Sequence, residues 1–176
     1  MSTTINIANS LKKAAVDWDA VYTAELPRVF NFFRYLTGND LLAEDLTADT
    51  FRKAWQNRTK YDHNRGAFST WLFTIARRTA IDHFRSHKPH LPLTSASDLA
   101  DENTPDSTFY YQDDLARLSK ILQLFPNRES EIIALTYGAD CTNKEIASQM
   151  GLSETNVSTL LHRVLQKLRE AWEVNL

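Results

Sequence analysis

Apolar and small side chains recur with a helical period over most of this chain. Between positions 41 and 57, Ala43, Leu46, Thr47, Thr50, Phe51 and Ala54 fall on one face of a predicted helix, with charged and polar residues on the other. Upstream, "PRVFNFFRYLTG" reads as a helix that starts at Pro27, where a missing N–H is harmless, and ends at Gly38. Asn39 or Asp40 is placed to cap the helix that follows. After the polar loop "RTKYDHNRG", the stretch "AFSTWLFTIARRTAIDHFRSHK" predicts a long helix that ends before Pro89.

The second half repeats this style with shorter pieces. "DDLARLSKILQLF" is one helix, and Pro126 opens another over "NRESEIIALTY" that stops at Gly138. Thr142 and Glu145 have the T-x-x-E spacing of a capping box in front of "NKEIASQM". Gly151 makes a turn, and Ser153 caps a last helix from Glu154 to about Glu173. Alternating runs are few, and the chain of 176 residues holds only four Gly and five Pro. The expected fold is all-α, with two small helical domains over 1–90 and 113–176 and a linker over 91–112.

Charge sharpens that division. The net charge of −2 conceals +4 over residues 1–90, −6 over 91–116 and zero over 117–176. The middle stretch has no Lys or Arg and is rich in Ser, Thr, Asp and Pro, as a linker should be. One cysteine, Cys141, excludes an intramolecular disulfide. The N-terminal "MSTTINIANSLKK" lacks the charged start and apolar run of a signal peptide, and no stretch approaches the ~20 apolar residues of a membrane span. A cytoplasmic protein with no direct membrane insertion is expected.

Candidate chemistry lies on three surfaces. In "NKEIASQMGLSETNVSTLLHRV" the small Ala147 sits four residues before Gly151, as a tight crossing of two helices requires. Ile146, Met150, Leu152, Val157 and Leu160 point inward, whereas Thr155, Asn156, Ser158, Thr159 and Arg163 point outward. Short polar side chains at the start of a second helix can reach base edges in a major groove. An ordinary helical hairpin has the same core pattern but does not need this combination of cap, small residue, turn and second cap. The helix is poor in cations before Arg163, Lys167 and Arg169, so the domain alone should hold DNA weakly.

The second surface mixes rings with cations. Tyr61, Phe68, Trp71 and Phe73 stand among Arg65, Arg77, Arg78, Arg85 and Lys88, a mixture suited to single-stranded nucleic acid. Phe68, Leu72, Ile75 and Thr79 follow helical spacing and read as core, while Tyr61 and Trp71 fit either role. Arg77, Arg78 and Arg85 have no evident acidic partner along the chain. The third surface is the polar face Glu44, Asp45, Asp49, Arg52, Lys53 and Gln56, either a solvated face with an Asp49–Lys53 pair or a docking site for a basic protein. His83, His87 and His90 are spaced i, i+4, i+7, but Pro89 breaks the helix and no further ligand completes a metal site, so no metal or cofactor is expected. No nucleotide-binding loop or nucleophile elbow is present, which argues against an enzyme.

Taken together, "AEDLTADTFRKAWQN", "NRGAFSTWLFTIARRTAIDHFR" and "FPNRESEIIALTY…TNKEIASQMGLSETNVSTLLHRVLQKLRE" resemble a bacterial extracytoplasmic-function (group 4) RNA polymerase sigma factor over residues 20–173. The resemblance implies a promoter-specificity subunit without an active site. Glu44, Asp45, Asp49, Arg52, Lys53 and Gln56 would meet the β′ clamp helices of core RNA polymerase. Tyr61, Asn64, Arg65, Trp71, Arg77, Arg78 and Arg85 would capture the minus-ten element of promoter DNA as single strand. Thr155, Asn156, Ser158, Thr159, His162, Arg163 and Lys167 would read the minus-thirty-five element as duplex, with the β-flap held by neighbouring helices. The acidic linker would run toward the RNA exit path, and an anti-sigma factor is an expected partner. A free-standing dimeric DNA-binding regulator is the alternative, and a metal hydrolase built on the histidines is a more distant one.

Overall fold

In the computed structural model, which describes residues 16–86 and 108–174, each helix that the pattern predicts is present in the described residues, with some ends displaced. Helix α1 runs from Trp18 to Thr37, opened by Asp17, whose carboxylate accepts from the N–H of Ala20. The expected start at Pro27 is therefore corrected, since that proline lies inside the helix. An interior proline removes one backbone hydrogen bond. Here it is exposed, and the apolar stripe on either side holds the helix together: Trp18, Leu26 and Phe30 pack on the core and Val29, Phe32 and Phe33 are fully buried. Gly38 ends α1 in the left-handed conformation (φ 63°), its N–H donating to Arg34 O.

Asn39 caps α2, Asp40–Gln56, by accepting from Leu42 N. The six residues of the expected stripe, Ala43, Leu46, Thr47, Thr50, Phe51 and Ala54, are its buried face. Two short 3-10 turns, Arg58–Lys60 and His63–Arg65, lead to α3, Phe68–Ser86. The expected extension of α3 to Lys88 lies outside the described residues.

Helix α4 spans Thr108–Gln123, so it begins within the stretch assigned to the linker rather than at Asp113. Helix α5, Asn127–Ile133, continues into a π-helical turn over Ala134–Gly138. That turn widens the end of the helix and lets Ala139 N bond Ala134 O and Cys141 N bond Leu135 O. The capping box at Thr142 and Glu145 opens α6, Asn143–Met150, with both reciprocal hydrogen bonds made. Gly151 (φ 65°) turns the chain into α7, Glu154–Val174, and Ser153 accepts from Asn156 N. Among the described residues there is no strand, in keeping with the all-α expectation.

Helices α1–α3 pack around Phe32, Phe33, Leu72 and Phe73, with Phe32 edge-on to both Phe33 and Phe73. Helices α4–α7 close over Ile132, Leu135, Ile146, Val157 and Val164. The sequence leaves the placement of the halves open, but here they share one continuous apolar cluster. Helix α1 lies against α4 and the π-turn, and α3 lies against α6.

The capping box makes a direct test of the local argument. Thr142→Ala should lower unfolding free energy by about 0.5–2 kcal/mol, read from the urea midpoint, and Thr142→Ser should recover most of the loss.

Candidate nucleic-acid interface

The loop between α2 and α3 gathers aromatic rings from four parts of the chain. Trp18 at the start of α1 meets Trp55 near the end of α2 and Phe68 at the start of α3, at centroid distances of 5.2 and 5.4 Å. Phe68 in turn meets Tyr61 and Trp71 at 5.2 and 5.3 Å. Tyr61 and Trp71, which the sequence left between two roles, are half-buried here, ring against ring at 5.4 Å. The Tyr61 hydroxyl donates to Gly66 O, which ties the loop to its own turn. Asn64 and Arg65 stand exposed, with Asn64 held by two hydrogen bonds to the Asp62 carboxylate.

Two rings of this cluster, Trp18 and Trp55, were missed by sequence reasoning. Trp55 is 50% exposed, and the Arg58 guanidinium lies 4.4 Å from its ring centroid. The signal was present in "WQNRTK", where a tryptophan and a cation three residues apart share a helix end. The cluster thus carries an open face, Trp55 with Arg58, beside rings that are partly core.

The three arginines of α3 part company. Arg78 is exposed and has no acidic partner among the described residues. Arg85 is exposed and paired with Asp82 one turn away, at 3.3 Å. Arg77 is mostly buried and bidentate to Glu131 of α5, at 2.7 and 3.1 Å, while its remaining nitrogen donates to Gln149 O. The expectation that these arginines lack acidic partners is corrected for Arg77 and Arg85. Glu131 lies too far along the chain for spacing to reveal it.

The polar face of α2 divides as well. Glu44, Asp45, Arg52 and Gln56 are exposed. Asp49 pairs with Arg52 and, at 2.8 Å, with Lys53, and Lys53 also donates to Thr79 of α3. Burial alone would raise the Asp49 pKa, but the hydrogen bonds and charges of Lys53 and Arg52 outweigh it and hold the carboxyl below its ordinary value. Lys53 thus helps join α2 to α3, and Leu41, 74% exposed, adds an apolar edge.

On α7, Thr155, Asn156, Ser158, Thr159, His162 and Arg163 are exposed, and Val157 and Val164 anchor the opposite face. Asn143 Nδ2 donates to Ser158 Oγ, bracing α6 against α7 at the crossing. Lys167 is exposed, and its ammonium bonds both oxygens of the buried Glu129 at 2.8 and 3.0 Å. Among the described residues, no group of three His, Cys, Asp or Glu is arranged to hold a metal, and His87 and His90 lie outside them. No described helix is long and apolar enough to cross a membrane.

A helix-turn-helix with an exposed polar row, joined to a bundle bearing an aromatic and cationic loop, defines a nucleic-acid-binding architecture. Residues 21–90 match Sigma-70 region 2, and residues 121–170 match Sigma-70 region 4. The chain is 30% identical over 154 residues to the ECF RNA polymerase sigma factor SigM of Bacillus subtilis (strain 168), covering 86% of this chain and 92% of that protein. It is 29% identical over 132 residues to the ECF RNA polymerase sigma factor RpoE of Cereibacter sphaeroides, covering 73% and 71%. The fold is shared with sigma factor RpoE, solved with the anti-sigma factor NepR from Bartonella quintana (TM-score 0.64, 22% identity, 91% of this chain and 99% of that one). It is shared also with CnrH, solved with the cytosolic domain of CnrY (TM-score 0.62, 22% identity, 89% and 86%). The chain belongs to the ECF family of RNA polymerase sigma factors, which are promoter-recognition subunits and not enzymes.

Lys167 tests how far α7 is committed to its own fold. Lys167→Met leaves a buried carboxylate without its partner and should cost about 1–3 kcal/mol in urea unfolding. Adding Glu129→Gln should recover part of that loss.

Proposed function

We propose that the chain is a group 4 sigma subunit whose halves divide the promoter between them. Residues 1–90 bind the β′ clamp helices and capture the minus-ten element as single strand. Residues 113–176 read the minus-thirty-five element as duplex and engage the β-flap, and 91–112 join the two. The reading is supported above all by one pairing of features: an exposed row of short polar side chains on α7, and a ring-and-cation loop between α2 and α3.

Each half suits its substrate for a physical reason. Duplex DNA shows base edges only in its grooves, so a helix bearing Thr155, Asn156, Ser158, Thr159, His162 and Arg163 suits it. Unpaired bases offer ring faces, so Tyr61, Trp71 and the exposed Trp55 suit them, while the exposed Asn64, Arg65, Arg78 and Arg85 suit phosphates. Arg77 joins this set only when released from Glu131. On α2, Glu44, Asp45 and Asp49 offer negative charge to a basic partner surface, with Arg52, Lys53 and Gln56 beside them.

The subunit works where the polymerase works, in the cytoplasm. The complex of the similarly folded sigma factor RpoE with the anti-sigma factor NepR supports an anti-sigma factor as a further partner here.

Run-off transcription with bacterial core polymerase on genomic fragments tests the reading. Promoter-directed transcripts should appear only when the chain is added, and their 5′ ends should share two upstream elements. Absence of transcripts together with absence of core binding would overturn it. Asp49→Lys should weaken core binding about tenfold, equivalent to about 1.4 kcal/mol, while thermal unfolding shifts by less than about 1 kcal/mol, as expected for a surface ion pair.

A further inference from the structure

The exposed row on α7 contains hydroxyl groups, and a hydroxyl by itself is a poor reader of sequence. It donates one proton and accepts on two lone pairs, so it turns to suit whichever base it meets. Two hydroxyls of this row are not free to turn. Thr159 Oγ1 donates to Thr155 O at 2.9 Å, so its proton is spent within α7. Ser158 Oγ is held from the other helix, where Asn143 Nδ2 donates to it at 3.0 Å.

Both ends of that second bond are fixed locally. Asn143 is the first residue of α6, and the capping box at Thr142 and Glu145 sets the backbone there. Beside Ser158, the fully buried Val157 fixes the rotation of α7. Asn143 is half-buried, whereas Ser158 is exposed and keeps its other sites open to a ligand.

The direction of the bond decides what Ser158 offers. One lone pair accepts from the amide, so the O–H proton points away from Asn143 and is left to donate. Guanine O6 and N7 and thymine O4 accept such a proton in the major groove. Cytosine presents only its N4 donor, and adenine presents one group of each kind.

We propose that Asn143 is a positioning residue for promoter specificity: it orients the Ser158 hydroxyl as a donor, so that the base facing Ser158 is guanine or thymine in preference to cytosine. The proposal rests on the reading of α7 as the helix that meets the minus-thirty-five element as duplex. A single change in α6 then rewrites what α7 reads. In Asn143→Asp the carboxylate can only accept, so the Ser158 proton turns to it and the lone pairs face outward. Cytosine then becomes the preferred base.

The full chain with core polymerase transcribes a promoter library randomised over the upstream element, each member carrying a barcode in its transcribed region. Sequencing the transcripts gives the base preference at every position. Ratios within one protein cancel a uniform loss of activity, including repulsion between an added carboxylate and the phosphates. Ser158→Ala should flatten one position, which locates the base pair that Ser158 reads. At that position Asn143→Ala should reduce the preference about fivefold, equivalent to about 1 kcal/mol, the size of one hydrogen bond. Asn143→Asp should reverse the preference there, whichever strand is contacted. Added to Ser158→Ala, Asn143→Ala should change nothing further at that position.

If Ser158→Ala alters one position while both Asn143 variants keep the wild-type preference there, the positioning role is overturned. A lower melting temperature or a uniform loss of transcription with that preference unchanged makes Asn143 a brace for the fold alone, and overturns it too. It is equally overturned if Ser158→Ala alters no position. If wild type gives no promoter-directed transcripts, the promoter reading itself fails, and this inference with it.

Discussion

The structure is governed by a shortage of free positive charge. DNA is held chiefly through its phosphates, and each neutralised phosphate requires a cation. This chain has 20 Lys and Arg against 22 Asp and Glu. Folding spends several of the cations internally: Arg28 on Glu25, Arg34 on Asp40, Arg77 on Glu131 and Lys167 on Glu129. What remains on the reading surfaces is a thin set, Arg65, Arg78 and Arg163 among them. On the proposed reading, such a protein would read bases with short polar side chains and rings and would lack the means to stay on a duplex unaided.

That shortage gives the larger assembly its part. On the proposed reading, a polymerase that carries both halves would supply the non-specific hold and convert two weak contacts into one selective contact through effective concentration.

Much of this was legible in the sequence, and the failures have a common cause. Short-range rules succeeded: the α2 stripe, the Asn39 cap, the Thr142–Glu145 box and the Gly151 turn depend only on neighbours a few residues apart. Pro27 misled because its usual place is a first turn, whereas the apolar face starting at Trp18 outweighs the lost hydrogen bond. The ion pairs of Arg77 and Lys167 were not legible because their partners, Glu131 and Glu129, come from distant segments that only the folded chain brings near. Trp55 was given no role from the sequence, although half of its surface is open beside Arg58.

The charge argument is tested most directly by titrating the purified chain, without polymerase, against duplex carrying its upstream promoter element over a range of salt. The account predicts binding too weak to saturate at physiological ionic strength, with a shallow slope of log K against log salt corresponding to only about two or three phosphate contacts. Tight, saturable binding by the chain alone at that ionic strength, with a steep slope, would contradict it.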